Sequence, residues 1–197
     1  MHEVNEVRHL SRLTGIFEES DFLMPLFRLA AEFSPHPYYI GAGCLMQTVW
    51  NRLTGRPSLH GISDVDYVYF DASDTGYEAE DEMVRAARSR FAGLAVPVDV
   101  KNQARVHLWY PEKFGVPLDP YASLEEAVAS WPTPASSLGA RLEPDGSWTV
   151  CAPFGLVDLF ALTVRPNRRL VTREAYLAKA EKWSRLWPEL VVLPWDA

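Results

Sequence analysis

Asp64 and Asp66 are two positions apart in the run Asp64-Val65-Asp66-Tyr67-Val68-Tyr69-Phe70-Asp71, which is β-branched and aromatic enough to read as a strand. Alternate residues of a strand share a face, so the two carboxylates should project together, about 7 Å apart along the chain. Asp99 lies in a second strand-like run, Val98-Asp99-Val100, and converges on them if the two strands are neighbours. Carboxylates crowded in this way raise one another's pKa unless a cation neutralises them. A hard divalent ion suits that donor set, magnesium first and manganese as a substitute. Two such ions about 4 Å apart would clamp the attacking and leaving oxygens of a phosphoryl group. Asp-x-Asp alone is a weak signal. At the head of one apolar strand, with a third Asp inside another, it becomes a strong one.

Gly41-Ala42-Gly43 precedes a helical pattern. Gly41 and Gly43 let backbone N–H groups come close to a phosphate, with the positive end of the helix behind them. They would serve equally as a tight strand-to-helix connection. Lys101 and Arg105 fall on the same strand face as Asp99 and are placed to neutralise triphosphate charge. His107 shares that face but reads as a hydrogen-bonded structural histidine. Cys44, with apolar neighbours, reads as a small core residue. Trp131, Trp183 and Trp187 read as core rather than as base-stacking platforms, and Asp71 as a turn residue.

The elements that must carry these groups follow from periodicity. Val4, Val7, Leu10 and Leu13 recur at helical spacing. Asp21 is placed to cap a second helix that ends at Pro35. A short strand, Tyr38-Tyr39-Ile40, leads into the glycines, and Leu45, Val49, Trp50 and Leu53 then share a helix face up to Gly55. A helix is expected over 77–91. Alternation runs from Val96 to Trp109, too long for one strand, so a break is expected near Asn102. Ser123-Leu124-Glu125-Glu126 is a capping box, Asp145-Gly146 a hairpin turn, and helices are expected over 156–164 and 172–187. The fold class is α+β: a small mixed sheet flanked by helices, with N- and C-terminal helical additions. The chain reads as one domain, with a helical segment over 1–37, the metal-site core over 38–110 and a mostly helical part over 111–197.

Taken in order, Gly41-Ala42-Gly43, Asp64-Val65-Asp66 and Val98-Asp99-Val100 resemble the signature of DNA polymerase beta-like nucleotidyltransferases. More closely, IGAGCLMQTVWNRLTG, SDVDYVYFD, VDVKNQARVHLWY and the WPT and APFGLVDLFALTVRPN segments resemble a bacterial family of nucleotidyltransferase-like proteins, from about Tyr39 to Trp187. The resemblance implies transfer of a nucleoside monophosphate from a nucleoside triphosphate to an acceptor hydroxyl, with release of pyrophosphate. It also implies that Asp64 and Asp66 bind both metals, and that Asp99 holds the catalytic one and orients or deprotonates the acceptor. Twenty residues separate Gly43 from Asp64, more than the compact motif allows, and residues 55–62 look like the insertion.

Bulk properties bound the partners. The 197 residues carry a net charge of -7 and no basic run, which disfavours a nucleic-acid acceptor, since affinity for nucleic acid comes from neutralising its backbone. A small anion delivered as a magnesium complex is compatible with acidity. No stretch is apolar enough to span a bilayer. The first residues read as an amphipathic helix rather than an apolar leader, and two cysteines make no disulfide framework, so a cytoplasmic location is expected. The rival readings are a nucleotide or metal sensor without catalysis, and an interaction protein whose acidic face is only solvated surface.

Overall fold

The computed structural model describes residues 2–33 and 35–196, with the side chains of residues 2–4, the expected Val4 contact included, lying outside that description. In chain order the α-helices and strands are α1 (His2–Glu18), α2 (Leu23–Ala31), β1 (Tyr38–Gly41), α3 (Gly43–Thr54), β2 (Val65–Tyr69), α4 (Tyr77–Arg90) and β3 (Val98–Asn102). After a 3-10 helix (Gln103–Leu108) come α5 (Tyr110–Phe114), α6 (Leu124–Val128), β4 (Gly139–Leu142), β5 (Trp148–Cys151), α7 (Val157–Phe160), β6 (Thr163–Val164), α8 (Arg173–Leu186) and β7 (Val191–Val192). Among the described residues the main sheet has five strands in the order β3-β2-β1-β4-β5. Only the β2–β3 pair is parallel, with α4 as its crossover; the other pairs are antiparallel. β6 and β7 form a separate parallel pair joined through α8.

Strand alternation splits the sheet into two unlike faces. Tyr38, Ile40, Val65, Tyr67, Tyr69 and Val100 point into the main core, against α1–α4 and α8. The opposite face carries Tyr39 and Val68 under α6 and Trp131, and in the same parity Gly41, Asp66, Asp99 and Lys101. The apolar face holds the sheet, which leaves the other free to be polar.

Several local expectations need correction. α1 buries Leu13, Ile16 and Phe17, while Val7 and Leu10 stay exposed; only its C-terminal half reaches the core. α2 is capped by the Ser20 hydroxyl, which accepts from Leu23 N–H, rather than by Asp21. The alternation after Val96 stops at Asn102, as its length required. Asn102 is buried and its side-chain oxygen accepts from Asp71 N–H and Ala104 N–H, while its amide donates to the Asp71 carbonyl. That capping turns the chain into the 3-10 helix and ends the strand periodicity. The hairpin expected at Asp145-Gly146 forms as β4 and β5, which join the main sheet, but the C-terminal part is less helical than expected, with α7 stopping at Phe160, before the short strand β6.

Residues 55–62, the length excess of the glycine–aspartate spacing, are a clamped loop. The buried Asn51 amide donates to the carbonyls of Ser58 and His60, and its oxygen accepts from Trp187 Nε1, at 2.9 Å. A His60 ring nitrogen sits 3.1 Å from the Leu186 carbonyl, and Arg56 pairs with Glu189 at 2.9 Å. Gly61 has φ +75°, and a Cβ there would lie 2.3 Å from the Trp187 ring, so only glycine fits. The loop is thus bound to the segment after α8, and it delivers the chain to Asp64.

Candidate active site

Register aligns the site. Gly41 pairs with Asp66 across β1–β2, and Asp66 pairs with Asp99 across β2–β3. One row therefore runs from the exit of β1 through the entrances of β2 and β3, on the face away from the main core. One step along, Val68 pairs with Lys101. The Lys101 ammonium folds back between the carboxylates, 3.3 Å from Asp66 Oδ1 and 2.5 Å from Asp99 Oδ2. Burial above all, with the charges of Asp64 and Asp99, pushes the Asp66 carboxyl above its usual range, although Lys101 pulls the other way. Burial works against the Lys101 ammonium, but Asp66 and Asp99 outweigh it and hold the amine above its ordinary value. The row is a place where negative charge gathers and a cation is drawn in.

Asp64 lies just before β2, which begins at Val65 with its N–H bound to the Pro97 carbonyl. Its carboxylate is exposed and accepts from the Ser63 hydroxyl at 2.6 Å. Among the described residues no three His, Cys, Asp or Glu side chains are gathered closely enough to hold a metal ion. The expected trio is thus a converged pair, Asp66 and Asp99, with Asp64 beside it.

The glycine turn differs from expectation in its physical cause. A Cβ on Gly41 would lie 2.4 Å from the Trp131 ring, so Gly41 is required by that close approach. Gly43 has ordinary room, with Gln47 Nε2 the nearest atom at 3.6 Å. The strained residue is Ala42, at φ +54°, ψ -124°, a backbone conformation that costs an L-residue about 1–3 kcal/mol. Its N–H donates to the Leu138 carbonyl at 2.9 Å. No side chain caps α3, and Ala42 at its start lines the same cavity as Asp66, so the positive end of the helix lies beside the row, which suits an anion.

This row opens into a cavity of about 520 Å³, floored by Asp66, Val68 and Lys101 and walled by Trp109, Tyr121 and Trp131 among others. Trp131, expected in the core, is half-buried and lines the cavity. Arg105 is not among the lining residues. Its guanidinium is taken by Glu80 and the Thr75 carbonyl, both near α4, because the 3-10 helix has turned it off the sheet face. His107 also leaves that face, and its Nδ1 is buried without a hydrogen-bond partner among the described residues. Cys44 and Cys151 are buried free thiols, and burial pushes Cys151 up to about 11 and Cys44 higher still. Asp71 makes a turn, accepting from Ser73 N–H and hydroxyl.

A mixed sheet with paired aspartates on adjacent strands, next to a strand-to-helix turn, is the fold of a polymerase beta-like nucleotidyltransferase. It is similar to a structure solved by NMR that reveals a CCA-adding enzyme head domain, at TM-score 0.75 and 21% identity, covering 93% of this chain and 95% of that one. It is also similar to a CCA-adding enzyme solved in complex with CTP, at TM-score 0.53 and 14% identity. That match covers 92% of this chain but only 43% of the larger protein. No curated protein matches the sequence. A family model described as nucleotidyltransferase matches residues 29–192, and the chain belongs to that family.

Proposed function

We propose that this chain transfers a nucleoside monophosphate from a nucleoside triphosphate to an acceptor hydroxyl, in a reaction that depends on magnesium. The observation that carries the reading is the row Gly41–Asp66–Asp99, beside the uncapped end of α3. The donor set fits a hard divalent ion. Its atoms are carboxylate oxygens, the half-buried Asp66 is disfavoured as an uncompensated anion, and a cationic ammonium already sits between the pair. Asp66 and Asp99 would hold the ion, and Asp64 would join them by turning away from Ser63. Bound there, magnesium or manganese supplies charge neutralisation to the phosphoryl group.

The chain's own groups do the rest by position and charge. N–H groups at the start of α3 receive phosphate oxygens, and Lys101, relieved of the carboxylates, has a phosphate oxygen as its alternative partner. The acceptor oxygen attacks the α-phosphorus, the bond to the bridging oxygen of the β-phosphoryl group breaks, and pyrophosphate leaves. Asp99, the more exposed of the pair, orients the acceptor hydroxyl and takes its proton. The likeness to an enzyme solved with CTP supports a nucleoside triphosphate as donor. The net charge of -7 favours a small acceptor over nucleic acid.

The test is pyrophosphate release from each nucleoside triphosphate with magnesium and a pool of small hydroxyl metabolites. Wild type should release pyrophosphate and Asp66→Asn should not; equal release by both would sink the reading. One observation favours a second reading, nucleotide binding without transfer: Lys101 already compensates both carboxylates. That reading predicts magnesium-dependent nucleotide binding with no pyrophosphate from any pool.

A further inference from the structure

The chain is acidic, yet its cleft is not. Asp66 is the one carboxylate among the described residues that line it, against Lys101, Lys113 and Lys179. Those are three of the four lysines in the sequence, and none of the fifteen arginines lines the cleft. Lys101 is committed to Asp66 and Asp99. Lys113 and Lys179 come from α5 and α8, the helical side of the cleft, and neither has an ion-pair partner among the described residues. Each ammonium lies over aromatic rings instead: Lys113 at 5.6 Å from Trp109 and 5.4 Å from Phe114, Lys179 at 5.7 Å from Trp183.

Gln103 is the second, independent observation. It lines the same cleft and is only 5% exposed, yet its side-chain amide has no hydrogen-bond partner among the described residues. Its polar atoms are not among the buried unsatisfied ones, so the amide is open to the cleft and available to what fills it. Next to it stand aromatic walls, Trp109, Tyr121 and Trp131. An amide with both donor and acceptor, flat aromatic surfaces and free ammonium groups match one kind of ligand: a planar ring with a hydrogen-bonding edge that carries an anionic group.

We infer that the helical side of the cleft is the acceptor subsite and takes a small ring-bearing anion, of the nucleoside monophosphate kind. Gln103 hydrogen-bonds the ring, and Lys113 and Lys179 receive the anionic group. This rests on the nucleotidyltransferase reading, because the division between donor and acceptor does. A triphosphate donor carries its charge in its phosphates, which the carboxylate row, Lys101 and the start of α3 already engage. Two further cations contributed by α5 and α8 have no donor phosphate left to meet and call for a second anion.

The test is calorimetry in two stages. First, a non-hydrolysable nucleoside triphosphate analogue with magnesium is titrated into the protein. Second, the saturated protein is titrated with the 5′-monophosphates of adenosine, guanosine, cytidine and uridine, and with inorganic phosphate. The expected result is one-to-one binding of at least one monophosphate, tenfold or more tighter than phosphate. The double variant Lys113→Gln/Lys179→Gln should weaken that binding at least tenfold while leaving analogue affinity within twofold. Gln103→Leu, similar in volume, should narrow the differences among the four bases; thermal unfolding checks that both variants fold. Competition between monophosphate and analogue would overturn the inference, by making the cleft wholly the donor's. So would equal weakening of analogue and monophosphate in the lysine variant, or absence of binding by all four. Failure of the analogue itself in the first stage counts against the transferase reading, and titration of the free protein with the monophosphates then decides the ring-and-anion site separately.

Discussion

Asp66 and Asp99 owe their meeting to parity and register. Each sits second in a five-residue strand, and β2 and β3 are parallel and in step, so the two carboxylates fall side by side. Their spacing and strand context are legible in the sequence; their exact pairing is not, because register is set by the whole sheet. Two other residues show the limits of pattern reading. Arg105 has the right parity in an unbroken strand, but the buried Asn102 ends that strand and Arg105 turns to Glu80. Gly41 looks like a phosphate glycine, yet what excludes a side chain is Trp131, ninety residues away in sequence. The two glycines therefore make opposite predictions. Gly41→Ala should destabilise by about 2 kcal/mol through overpacking, read as a fall in Tm. Gly43→Ala has room for its methyl and should leave Tm nearly unchanged. If phosphate approaches the α3 backbone there, the same variant weakens triphosphate binding several-fold, and unchanged affinity would remove that contact.

Elements carry the site through contacts that no local pattern announces. Half of the capping box at Ser123 forms as its spacing predicts, with Ser123 accepting from Glu126 N–H at 3.1 Å, while Glu126 accepts from the N–H of Ala122, one residue before the cap, at 2.8 Å. By contrast, the 55–62 loop reads only as an insertion, because its partner, Trp187, lies far off in sequence. Asn51→Ala would orphan the Ser58 and His60 carbonyls and Trp187 Nε1 together. It should cost about 3 kcal/mol, or roughly 6–12 °C in Tm for a chain of this size. Arg105→Ala breaks a mostly buried ion pair with Glu80 and should cost about 3 kcal/mol, with nucleotide affinity unchanged. Calorimetric binding beside a melting curve separates these effects, and a loss of affinity without loss of stability would return Arg105 to the site.

For the whole molecule, the charge of -7 argues against a nucleic-acid grip, while the cleft concentrates most of the lysines. Composition reports the first fact and cannot report the second, since only folding brings α5, α8 and the sheet together. The α+β class was legible because the helix and strand periods alternate cleanly over 38–91, and the Asp145-Gly146 turn announced the β4–β5 hairpin; β6 and β7, two residues each, were too short to stand out. Among the described residues no helix is long and apolar enough to cross a membrane. The central claim is that the aspartate row binds a nucleoside triphosphate through magnesium. Thermal unfolding of wild type and Asp66→Asn, with each triphosphate and with or without magnesium, tests it most directly. Ligand at a hundredfold above Kd adds about 2.7 kcal/mol, which raises Tm by roughly 5–10 °C. The account predicts that rise for at least one triphosphate, only with magnesium and only in wild type. An equal rise in Asp66→Asn, or no rise in wild type at saturating triphosphate, would contradict it.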